Sequence, residues 1–181
     1  MALGFRPRYS LERSDSGEAR IGKIINLIAE SQFGIHDLSR CQAEEAGDFF
    51  RLNMPLELGL DLGARNFGGR AYKEKRILIL EEERYRFQKA ISDISNSDIK
   101  SHEGKPDEIV RIVRDWLVHE AQAPAISPTH IWYRYNDFLA ETYDLLKQRR
   151  FSVEDIKNFP VHELAGMMKS WIERNPLSSD D

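Results

Sequence analysis

Two short apolar runs, FGIHDL at 33–38 and ILIL at 77–80, each stop at charged residues, and a leucine-rich helical segment lies between them. Two buried strands separated by a helix need a crossover connection, and a crossover makes the pair parallel. The alternation extends outward from this core: strands are expected near 5–11, 33–38 and 76–80, with helices over 18–31 and 54–64. The fold class expected is therefore α/β, a mostly parallel, doubly wound sheet. Pro7 cannot donate to a ladder, which suits the 5–11 segment to an edge. Ile21, Ile24, Ile25 and Ile28 form the buried stripe of the first helix, with Ser16 as its cap and Lys23 on its surface. In the second helix Leu56, Leu58, Leu60 and Leu62 occupy nearly all faces, the pattern of a helix buried on both sides. Gly59 and Gly63 recur on one face, where they permit another backbone to approach.

Beyond 84–95, read as a short uneven helix, and 96–104, read as a polar loop, the pattern is helical. Ile109, Ile112, Val113, Trp116 and Leu117 share one stripe, AQAPAISP at 121–128 is a small-residue linker, and helices follow over 131–147, 152–158 and 160–174. The expected division is an α/β domain over 1–120 and a helical appendage over 121–181. Trp116, Trp132 and Trp171 lie on or beside apolar stripes and read as core or helix-interface residues.

Composition narrows the function. Lys plus Arg is 26 against 30 for Asp plus Glu, a net charge of -4, so bulk nucleic-acid binding is disfavoured. The single cysteine, Cys41, excludes an intrachain disulfide, and the five histidines show no paired ligand spacing, so no metal is expected. No apolar run approaches the roughly 20 residues that span a bilayer, and the opening residues lack a signal-peptide core. The chain reads as soluble and cytoplasmic.

Chemistry concentrates at the two ends of the 33–63 stretch. Asp37 ends a strand, Ser39, Arg40, Arg51 and Asn53 lie on the loop that follows, and Glu57 stands near the start of the next helix. With Asn53 as N-cap and Pro55 in the first turn, a carboxylate at 57 gains about 0.3 to 1 kcal/mol from the helix dipole. Asp37 is suited either to face a ligand or to cap its own turn. His36 points opposite to Asp37 and reads as a satisfied buried histidine in preference to a proton-transfer group. Arg40 and Arg51 have the forked donors that hold a phosphate, and the Glu81–Glu83 triplet reads as solvated.

His36-Asp37-Leu38-Ser39 followed by Asn53-x-x-x-Glu57-Leu58-Gly59 resembles the bipartite signature of TIR-like nucleotide-binding domains, relatives of the nucleoside deoxyribosyltransferases. The strings SDSGEARIGKI, FGIHDLSR, NMPLELGL and RYRFQKAISDI are similar to an uncharacterised bacterial group of that superfamily, and the resemblance covers about 3–117. It implies a site at the carboxyl ends of the strands. There Glu57 would promote loss of the base from NAD or a related nucleotide, and Asp37, Ser39, Arg40, Arg51 and Asn53 would bind that nucleotide. A role as an anti-phage defence effector is implied only by this resemblance, and a non-catalytic nucleotide sensor or interaction module is the alternative. The resemblance also implies an opening strand and helix ahead of Gly4 that residues 1–181 do not contain. Self-association or a partner protein is therefore expected to complete the sheet, unless the C-terminal helices cover it.

Overall fold

The computed structural model describes residues 2–12, 15–41 and 52–177. The chain divides into two compact units, Asp15–Trp116 on one side and Met1–Ser14 with Leu117–Asp181 on the other.

The Asp15–Trp116 unit holds a three-stranded parallel sheet, β1 (Phe33–Asp37), β2 (Arg76–Glu81) and β3 (Lys100–Ser101), in that spatial order. Ile35 stands opposite Leu78 and Asp37 opposite Leu80, so the two apolar runs lie on adjacent parallel strands. Glu81 stands opposite Ser101. β1 is the outer strand on its side among the described residues, and Ile35 is 45% exposed there. The segment at 5–11 is not a strand. Pro7 supplies no N–H, Glu12 N–H donates to the Tyr9 carbonyl at 3.1 Å, and Arg8 pairs with Glu12 at 2.8 Å, so the chain turns where an extended edge was expected.

α1 (Arg20–Glu30) and α2 (Asn53–Phe67) pack against one another, and α2 packs on β1. Leu58 of α2 is buried with Leu38, Ile79 and Phe87. The rest of the helix is less enclosed than its leucines suggest: Leu56 is exposed, and among the described residues a Cβ on Gly59 or Gly63 would meet nothing within 4 Å. In α1 only Ile24 of the isoleucine stripe is buried, Ile21 and Ile25 are exposed, and Ala19 rather than Ser16 precedes the first turn, with no side-chain cap. Lys23, expected at the surface, is buried and donates to the Asp15 carbonyl at 2.6 Å.

A buried polar knot replaces the extra apolar packing. Asp61 of α2, 1% exposed, lies 3.0 Å from His36 Nε2 and 3.1 Å from Lys75 Nζ. Lys75 also donates to the carbonyls of Ile28 and Ser31. One knot thereby joins the end of α1, the strand β1, the middle of α2 and the residue before β2. Gly34 makes room for it: a Cβ there would lie 2.0 Å from the Asp61 carboxylate. Burial alone would push the Asp61 pKa up, but the hydrogen bonds and charge of His36 and Lys75 outweigh it and hold the carboxyl below its ordinary value.

After β2 the chain makes two 3₁₀ turns, Arg86–Lys89 and Ser92–Ile94, where a single uneven helix was expected, and the polar loop contains the short β3. α3 (Pro106–Ala121) follows, and its Trp116 meets Phe33 edge to face at 5.9 Å.

The second unit is helical. α4 (Pro128–Gln148) opens with Ser127 as N-cap and Pro128 at its first position, as the dipeptide signals. α5 (Val153–Lys157) is capped by a reciprocal Ser152–Asp155 box, and α6 (Val161–Arg174) buries Trp171 against Phe138 with ring centroids 6.0 Å apart. Among the described residues no helix is long and apolar enough to cross a membrane.

Candidate functional site

Parallel pairing brings the carboxyl ends of the three strands to one edge of the sheet, and the polar residues there form a connected cluster. Asp37 Oδ1 accepts from the Ser39 backbone N–H at 3.0 Å and from the Ser39 hydroxyl. The Ser39 hydroxyl also meets His102 Nε2 at 2.9 Å, just past β3. Gly104 N–H donates to His102 Nδ1 at 3.1 Å. A nitrogen that accepts carries no proton, so in the neutral ring Nε2 bears the hydrogen, donates to Ser39, and Ser39 in turn donates to Asp37. The direction matters. His102 cannot act here as a base that activates the Ser39 hydroxyl, because the lone pair such a base needs points at Gly104. The chain of donors ends on Asp37, whose side chain is 43% exposed. Its Oδ2 has no partner among the described residues, and a carboxylate oxygen so placed is an acceptor for a ligand hydroxyl or amine.

A second carboxylate ends β2. Glu81, expected in solvent with Glu82 and Glu83, is 2% exposed. It accepts from the Glu82 N–H at 2.8 Å and pairs with Arg86. Arg86 also donates to the Ser39 carbonyl and thus ties the loop after β1 to the end of β2. Of the triplet only Glu83 is exposed. Cys41 lies beside these groups, and burial, then the Glu81 and Asp37 carboxylates, push its thiol pKa up against the opposing pull of Arg86. Such a thiol is a poor nucleophile at neutral pH. A cavity of about 430 Å³ adjoins the cluster, with Glu81, Arg84, Tyr85, Lys100 and Ser101 in its lining. Among the described residues no three His, Cys, Asp or Glu side chains gather as a metal site would.

The expected site residues are distributed unevenly. Asp37 and Ser39 are joined in the cluster, and Arg40 is exposed beside it. Arg51 falls outside the described residues. Asn53 is the first residue of α2 and exposed, while Leu52 holds the cap position without a side-chain cap bond, so Asn53 does not cap the helix. Glu57 is consequently the fifth helical residue, beyond the first turn where the dipole acts most strongly. Its side chain is 17% exposed and faces Arg20 of α1 at 3.9 Å. Leu58, the next residue, shares a buried cluster with Leu38, one residue past Asp37, which puts this part of α2 against the carboxyl half of the sheet. His102, Glu81 and Arg86 were not among the residues expected. Glu81 carried a usable signal, since it ends an apolar strand as Asp37 does, whereas His102 follows a strand of two residues that no periodicity could register.

Compared with family models, with curated proteins and with solved structures, the chain matches none.

Proposed function

We propose that the Asp15–Trp116 unit binds a nucleotide at the carboxyl edge of its sheet and that Glu57 promotes cleavage of the N-glycosidic bond of NAD or a related nucleotide. The observation that carries the reading is the half-exposed Asp37 carboxylate, held at the end of β1 by Ser39 and His102 with one oxygen left to accept. In open α/β sheets ligands bind beyond the carboxyl ends of the strands, and a fixed carboxylate there is matched to a ribose hydroxyl. Loss of a base leaves an oxocarbenium-like sugar, which a second carboxylate, Glu57, stabilises or attacks. The ion pair with Arg20 supports a role for Glu57 as a carboxylate. A second copy or partner chain, where one is needed, would add along the outer edge of β1 at the exposed Ile35.

A second reading, nucleotide binding without turnover, is favoured by one observation: among the described residues Glu57 contacts Arg20 and makes no hydrogen bond or ion pair with Asp37. Incubating the chain with NAD and following nicotinamide release, beside Glu57→Gln and Asp37→Asn, separates the two. Under the first reading Glu57→Gln loses at least 10²-fold in rate while nucleotide affinity stays within a few-fold, and Asp37→Asn loses affinity. Equal release by wild type and Glu57→Gln removes the catalytic claim, and unchanged affinity in Asp37→Asn removes the site.

A further inference from the structure

The helical unit contains a cavity that the nucleotide reading does not use. It is a half-open recess of about 230 Å³ between the opening segment and helices α4 and α6, and its walls are apolar, among them Phe5, Leu117, Ile131, Phe138, Met168 and Trp171. One charged side chain enters this lining, Arg134. Its guanidinium lies over the Trp171 ring, 5.1 Å from the centroid, and donates to the Asn175 carbonyl. Trp171 is itself held, its Nε1–H donating to Glu141 at 2.8 Å and its ring set against Phe138. The cation is therefore fixed in orientation from two sides. Among the described residues no carboxylate pairs with it, and its remaining N–H donors have no partner.

A half-buried cation that no carboxylate pairs with among the described residues, at the side of an apolar recess, is complementary to an amphipathic monoanion. The guanidinium fork matches a carboxylate, and the chamber rewards burial of a hydrocarbon tail. Size sets the tail. With about 30 Å³ for each water-sized group, the chamber accommodates about eight such groups. We infer that the helical unit is a binding site for a medium-chain carboxylate of about eight carbons, with Arg134 as its charge partner and the α4–α6 aromatic wall around its tail.

The test is calorimetric titration of the full chain with octanoate and, separately, with 1-octanol. Saturable binding of one octanoate per chain is expected. Arg134→Gln should weaken it about tenfold or more, as loss of a charge-assisted hydrogen bond does, and leave the weaker binding of 1-octanol unchanged. Arg134→Lys, which keeps the charge, should recover part of the loss. Ile172→Trp, which fills the chamber, should abolish binding of both probes while far-ultraviolet circular dichroism and a cooperative melt match wild type. Absence of saturable heat with millimolar octanoate overturns the proposal. So does an octanoate affinity that Arg134→Gln leaves unchanged, or binding that survives Ile172→Trp.

Discussion

His36 and Asp37 are neighbours on β1, yet they belong to two polar clusters with opposite characters. Both clusters combine a histidine, an aspartate and a third hydrogen-bonding side chain. On one face of the sheet His36, Asp61 and Lys75 are all buried, and the Lys75 ammonium is held by two backbone carbonyls and the Asp61 carboxylate. At the carboxyl edge Asp37, Ser39 and His102 form a chain that ends on a carboxylate reaching solvent. The first cluster is shut away from solvent; the second presents a carboxylate to it. Residue types alone do not distinguish structural from ligand-facing chemistry, whereas access to solvent does.

The comparison is sharpest in stability. Asp61→Ala strands a buried ammonium and should cost about 3 to 5 kcal/mol in urea denaturation, enough to unfold many domains of this size. Asp37→Ala, at a half-exposed site, should cost about 1 kcal/mol or less. Equal losses would erase the distinction between the two clusters.

Acid should then separate them further. Because the Asp61 carboxyl is held below its ordinary value in the folded chain, its stabilisation is fully present above the unfolded carboxylate value near about 3.9. It is lost as pH falls through the lower folded value. The stability gap between wild type and Asp61→Asn should be constant from neutral pH down to about 5 and close below about 4. A gap that closes near neutrality would mean that a group other than Asp61 controls the knot.

The smallest effect is expected at the link in the open cluster. Ser39→Ala separates His102 from Asp37 and should cost about 1 kcal/mol, the usual loss for a single hydrogen bond. In nitrogen-detected magnetic resonance the neutral His102 ring should carry its proton on Nε2 both before and after the substitution, because Gly104 N–H still donates to Nδ1. A shift of the proton to Nδ1 would reverse the direction assigned to the relay.

Much of this organisation was legible in the chain itself. The β1 and β2 runs, the helices from Pro106 onward, and the starts signalled by Ser127-Pro128 and Ser152 all followed from apolar periodicity and capping chemistry, which act over a few neighbouring residues. Asp37 and Ser39 stood out for the same local reason, at the end of an apolar strand. What tertiary structure alone decided was the fate of the polar side chains. No local pattern marks Asp61 and Lys75 for burial; Gly34 leaves space for one, and two carbonyls at the end of α1 receive the other. Glu81 is buried because Arg86 folds back over it, and His102 reaches Ser39 only because β3 pairs with β2. Burial of a charge depends on whether partners distant in sequence arrive with the right geometry, and no local pattern encodes that meeting.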